Sequence, residues 1–206
     1  MTVIDRKQAI ENLKRYVGQD LAGLVKLHSI TTFETGKQNK GWKGLVLERL
    51  AGLQTNISKA PNGLSYEVKS VSFYYVKGEL VPKETMAITM INPDELKNQA
   101  FFESHCWDKL KSMIFCAVMW NGKNSTKAEL LKVASLDFIK SDPMIKEIEN
   151  DYEFIRNKLK TQGFQSLTGR DGKWIQARTK GSGHGSTSRA FYARKSLVSK
   201  IFELSF

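Results

Sequence analysis

The stretch KSMIFCAVMW, residues 111–120, carries apolar side chains at almost every position. A strand with one wet face alternates apolar and polar residues, whereas a strand covered on both faces does not. At ten residues the run is far short of the ~20 needed to cross a bilayer as a helix. It therefore reads as the central strand of a sheet, and the rest of the chain has to cover both of its faces. Around it, residues 5–17 read as an amphipathic helix, with Asp5 as N-cap, Ile10, Leu13 and Val17 as its stripe and Gly18 ending it. TTFETGKQNKGWKG, residues 31–44, reads as a loop, and LVLERLAG as a helix stopping at Gly52. Strands are expected near 64–75 and 84–91. Asp142 and Pro143 then open a long helix on which Ile145, Ile148, Tyr152, Ile155 and Leu159 recur near a period of 3.6, closed by Gly163. An Asp-Gly turn in GRDGKWIQARTKG leads into a further strand. GSGHGSTS is a glycine- and serine-rich loop, and SLVSKIFELSF reads as a terminal helix. The mixed order, without repeats or low-complexity tracts, implies one α/β unit over residues 1–206 with lobes able to move.

Thirty-two basic against 21 acidic residues give a net charge of +11. A polyanion meeting such a surface releases condensed counterions, so nucleic acid is the leading partner class. No block of five like charges stands alone, so the charge belongs to a folded surface and not to a tail. No run of about 18 apolar residues occurs, so no membrane span is expected. The charged, helix-patterned start has no signal-peptide core, and the expected address is the cytoplasm. Cys106 and Cys116 lie near apolar sequence and are expected as reduced, buried thiols. His28, His105 and His184 are isolated and begin no metal-binding motif, which disfavours histidine-based nuclease chemistry. No GxxxxGK[ST] loop is present, so no nucleotide cofactor is expected.

APNGLSYEVKSV, residues 60–71, sets Glu67 and Lys69 two apart in a run of β-branched and aromatic residues, which places both on one strand face. A carboxylate and an ammonium aimed at one spot suit a divalent cation beside a nucleophilic water. They equally suit an ordinary same-face ion pair. Glu48 on the preceding helix and Lys109 or Lys111 before the central strand are the other ionisable candidates.

An acidic helix residue, then Pro-Asn or Pro-Asp, then Glu-x-Lys is the layout of the PD-(D/E)xK nucleases. The ordered blocks KGWKGLVLERLAG, APNGLSYEVKSV, CWDKLKSMIF, LTGRDGKWIQARTKG and SRAFYARKSLVSKIF resemble the MutH-like branch, which includes type II restriction enzymes that recognise GATC. The resemblance runs from about residue 37 to the C-terminus. It implies an α/β fold of restriction-endonuclease type, a mixed β-sheet flanked by helices, with double-stranded DNA in a cleft between two arms. It implies a Mg²⁺-dependent endonuclease, monomeric or dimeric on DNA, with Glu48, Glu67, Lys69 and Lys109 in the catalytic centre. Glu48, Asn62 and Glu67 would be the metal ligands. Lys40, Arg178, Lys180 and Tyr192 match positions that contact bases or neighbouring phosphates. Trp174, Gln176, Arg178 and Lys180 alternate along one strand face and would form a comb offered to a groove, while His184 is a further candidate in a loop shorter than in the MutH branch. A restriction enzyme is the expected role; the alternatives are a mismatch-repair nickase and a DNA-binding pseudonuclease.

Asn62 departs from the pattern, which has an aspartate there. An amide lends a carbonyl oxygen but no charge, so metal affinity and cleavage should fall. Three readings compete: a deliberate Asp to Asn change that leaves DNA bound uncut, a natural pseudonuclease, or a different alignment. No Asp or Glu lies between Glu48 and Glu67 to support the last. The first is favoured because Glu48, Glu67, Lys69 and Lys109 all remain.

Overall fold

The computed structural model describes residues 4–28, 30, 33–34, 37–38, 41–53, 65–122, 125, 127–180 and 187–204. In chain order these form α1 (Arg6–Lys14), the two-residue strands β1 (Phe33–Glu34) and β2 (Lys37–Gln38), α2 (Trp42–Ala51), β3 (Glu67–Val76), β4 (Glu79–Pro82) and β5 (Met86–Met90). They continue with α3 (Pro93–Asn98), α4 (His105–Leu110), β6 (Ser112–Met119), β7 (Leu130–Asp137), α5 (Pro143–Gln162), β8 (Ile175–Thr179), β9 (Arg189–Ala193) and α6 (Lys195–Leu204). Lys40, Asn62 and His184 lie outside the described residues.

The apolar run is the central strand. β6 lies between β3, to which it is parallel, and β7, to which it is antiparallel, in a four-stranded sheet of order β4-β3-β6-β7. Its residues split by parity. Met113, Phe115 and Ala117 enter one core with α5, α6 and the second sheet; Ile114, Cys116 and Val118 enter another with α1 and α2. Full burial of each large apolar side chain contributes about 1.5–3 kcal/mol, so this strand is a main source of stability. The second sheet, β5-β9-β8, is antiparallel. The result is a mixed α/β fold of restriction-endonuclease type, its curled mixed sheet flanked by helices. Among the described residues, no helix is long and apolar enough to cross a membrane.

Several local signals act as the sequence suggests. The Asp5 side chain accepts from Gln8 N at 2.8 Å and that of Asp142 from Met144 N at 2.9 Å, with Pro143 in the first turn of α5. Ile145, Ile148, Tyr152, Ile155 and Leu159 are all buried. Gly52 ends α2 at φ 89°, a left-handed conformation natural to glycine. Cys106 and Cys116 are free and buried, and burial pushes the Cys116 thiol up to about 12.

Other expectations are corrected. Val17 is 42% exposed, because α1 stops at Lys14 and its buried face is Ala9 and Leu13. The expected loop at 31–44 already contains the start of α2, anchored by buried Trp42. β4 follows a Lys77-Gly78 turn in which both residues have positive φ (50° and 88°). That geometry suits a two-residue hairpin but usually carries Asn or Asp first, which is why it escaped notice. β7 escaped because a register shift opposite Ala117 and Val118 breaks the alternation of AELLKVASLD.

Candidate active site

β3 carries the central pair. Val71 and Phe73 face the core shared with β5 and α5, whereas Val68 faces the opposite one, so Glu67 and Lys69 share the former's side. Glu67 is only 4% exposed. Lys69 Nζ donates to Glu67 Oε1 at 3.0 Å and to the Ile88 carbonyl of β5 at 3.2 Å, which ties the two sheets together at the site.

The third member arrives from α4. Ser104 caps that helix by accepting from Trp107 N, and buried Cys106, Trp107 and Leu110 fix its orientation. Lys109 Nζ consequently reaches Glu67, donating to Oε1 at 3.2 Å and Oε2 at 3.3 Å. Lys111 turns away and pairs with Asp108 at 2.7 Å, so of the two lysines it is Lys109 that meets Glu67. Glu48 comes from α2 on the other side of the sheet. It lies close enough to Glu67, Lys69 and Lys109 for their charges to act on it.

Burial, then the neighbouring Glu67 carboxylate, raises the Glu48 pKa above its ordinary 4.5, with Lys69 and Lys109 opposing. Burial lowers that of Lys69 against the pull of Glu67. The sign for Glu48 follows from proton linkage. The folded state holds its proton more tightly than the unfolded chain, so stability falls as pH rises from 4.5 through the raised value. Glu48→Gln should accordingly stabilise the fold at neutral pH by up to about 1 kcal/mol, a gain typical of relieving a functional site. Urea denaturation at pH 4 and pH 7 checks this: the gain should be present at pH 7 and absent at pH 4. A loss of stability at pH 7 would contradict it.

Two carboxylates with hard oxygen donors, one of them (Glu67) already holding two ammoniums, fit a Mg²⁺ ion. Among the described residues no group of three or more His, Cys, Asp or Glu side chains is placed to hold a metal ion, so Glu48 and Glu67 are the only pair this site offers among those residues.

The second sheet supplies the candidate interface. On β8, Ile175 and Ala177 point into the core, while Arg178 and Lys180 are exposed. The expected four-residue comb contracts: Gln176 is 5% exposed, and Trp174 donates its indole N–H to Glu147 of α5. Arg178 Nη1 donates to Thr85 Oγ1 at 3.3 Å, and its guanidinium lies 5.3 Å from the Tyr192 ring centroid. Neighbouring Phe191 is the packing residue, stacked on Tyr152 at 5.3 Å. Tyr192 thus stands half-buried on the Arg178 side of β9.

Sequence reasoning missed the residues that hold this sheet in place. Arg194 donates to the carbonyls of Gly169, Asp171 and Gly172, and Arg189 to that of Leu167 at 2.8 Å. These guanidiniums count in the +11 but neutralise no partner. Their only sequence signal is an arginine at each end of a short, mostly buried strand: Arg189 opens β9 and Arg194 follows it.

The profile of a family described as "DNA mismatch repair enzyme MutH" matches residues 54–157. The chain is also similar to the DNA mismatch repair protein MutH of Escherichia coli O17:K52:H18 (strain UMN026 / ExPEC). The two are 24% identical over 191 residues, which cover 91% of this chain and 81% of that protein.

Proposed function

This chain belongs to the MutH family, and from that premise we propose that it is a Mg²⁺-dependent, sequence-specific DNA endonuclease hydrolysing phosphodiester bonds. The observation that carries the reading is the convergence of Lys69 and Lys109, from different elements, on buried Glu67, with Glu48 alongside. Glu67 and Glu48 would hold Mg²⁺, and Asn62 would contribute at most an amide oxygen. The ion supplies charge to the scissile phosphate and acidity to the attacking water. Lys69, fixed by Glu67 and the Ile88 carbonyl, orients that water and steadies developing charge. Lys109 faces the phosphate, while Arg178, Lys180, Tyr192 and Lys40 hold the duplex and read it.

The role proposed is a type II restriction enzyme with a GATC-like site, impaired by Asn62. A repair nickase is the second reading, favoured by the name of the E. coli relative and by a match that covers 91% of this chain and 81% of that protein. Purified Asn62→Asp protein with Mg²⁺ and GATC-bearing plasmid separates them. Double-strand cutting by the protein alone supports restriction, whereas single-strand nicking that depends on an activating partner supports repair. If Asn62→Asp binds the site tightly and cuts neither strand under any condition, the endonuclease reading falls.

Base reading has its own test. An arginine bidentate to guanine gives about 1–3 kcal/mol of discrimination, whereas a phosphate contact weakens all sequences alike and flattens the salt slope by roughly one. Arg178→Ala should lose most of the preference for GATC over random duplex, as should Lys40→Ala. Fluorescence anisotropy at several salt concentrations measures both, and equal losses on the two duplexes would assign Arg178 to phosphate.

A further inference from the structure

We propose that Lys109 is the site's resident counter-cation: its ammonium covers the Glu67 carboxylate, and a divalent ion enters as Lys109 moves to a DNA phosphate. This rests on the metal-dependent nuclease reading above and adds an order of assembly to it.

Three features of the geometry carry the inference. Lys109 Nζ straddles the carboxylate, at 3.2 and 3.3 Å from its two oxygens. A divalent ion needs that same edge of Glu67. The two lysines also differ in freedom. Lys69 springs from the same strand as its partner and is held a second time by the Ile88 carbonyl. Lys109 sits in the last turn of a six-residue helix, and Glu67 is its partner among the described residues. Lys109 is therefore the cation that can leave.

Charge gives the third feature. The negative charge of Glu48 and Glu67 is met by Lys69 and Lys109, with Arg49 and Lys180 also close enough to act on the group. A site with no excess of negative charge attracts a dication weakly. A DNA phosphate offers Lys109 an alternative anion and frees Glu67. DNA and metal should then strengthen each other's binding by the same factor, as thermodynamic linkage requires.

The test uses the full chain without DNA, titrated at fixed pH with Mn²⁺ and read by the electron paramagnetic resonance signal of the free ion. Lys109→Met should bind Mn²⁺ about ten-fold tighter than the parent, equivalent to about 1.4 kcal/mol. Lys109→Arg, which keeps a cation, should match the parent. Adding a GATC duplex should tighten Mn²⁺ binding to the parent and leave Lys109→Met nearly unchanged. Thermal unfolding confirms that each variant is folded, and the arginine variant preserves the comparison if the methionine one is not. Equal or weaker Mn²⁺ binding by folded Lys109→Met, or DNA coupling that persists in it, overturns the proposal. If all three proteins bind Mn²⁺ alike while Glu67→Gln loses it, the counter-cation role fails and the metal reading stands. If none binds Mn²⁺, with or without DNA, both fail.

Discussion

The Asn62→Asp variant is expected to cut DNA at least a hundred-fold faster than the chain as it stands, a change of about 2.7 kcal/mol in barrier. Its affinity for the same duplex, measured without metal, should change little. The two quantities separate because different parts of the molecule supply them. On the proposed reading, binding draws on the basic surface and on Arg178, Lys180 and Tyr192, which the substitution at residue 62 leaves in place. On the same proposed reading, cleavage draws on the metal, and the carboxylates of Glu48 and Glu67 lie among at least as many cations, two of them paired with Glu67. One more carboxylate would shift the site toward negative charge and add an oxygen ligand. Gel assays of both proteins with Mg²⁺ decide the matter: equal cleavage rates would remove Asn62 from the metal site.

The legibility of this site in the sequence follows the range of the interactions involved. The pairing of Glu67 with Lys69 is a matter of period 2 within one strand, so two residues of spacing suffice to read it. The α5 core stripe and its Asp142 cap are equally local. Lys109 is different. Forty-two residues separate it from Glu67, and the choice between Lys109 and Lys111 depends on how buried Cys106, Trp107 and Leu110 rotate a six-residue helix. Family resemblance pointed to Lys109, but no local rule does. The proposed reading strand, β8, shows the reverse failure. Alternation correctly put Gln176 and Arg178 on one face, yet burial along that face ends midway. Gln176 is covered and Arg178 is not. Period 2 gives the face and says nothing of how far the neighbouring layer extends. The same limit hid Thr85, which meets Arg178 across 93 residues of chain.

Asp151→Ala should cost about 3–5 kcal/mol of folding stability, since it strips a buried carboxylate from three backbone donors at once. Asp151, 8% exposed on α5, accepts from Lys173 N at 2.8 Å, Trp174 N at 2.6 Å and Ile175 N at 3.0 Å. These N–H groups belong to the turn that delivers β8; that of Ile175 is buried and those of Lys173 and Trp174 part-buried, so little water is at hand to replace the carboxylate. Asp151→Asn keeps one acceptor oxygen and should lose less. Gly172 reports on the same turn independently. Its φ is +80°, and a Cβ there would lie 2.0 Å from the Ile175 carbonyl and 3.1 Å from Asp151 Cγ. Gly172→Ala must therefore open the turn that Asp151 closes, and the two losses should be less than additive in the double variant because both break one unit. Urea denaturation of the four proteins provides the cycle. The turn also sets where β8 begins and hence where Arg178 emerges, so Gly172→Ala protein that remains folded should discriminate GATC from random duplex less well than the parent. A loss below about 1 kcal/mol for Asp151→Ala, the worth of a single ordinary hydrogen bond, would mean that the carboxylate does not organise this turn.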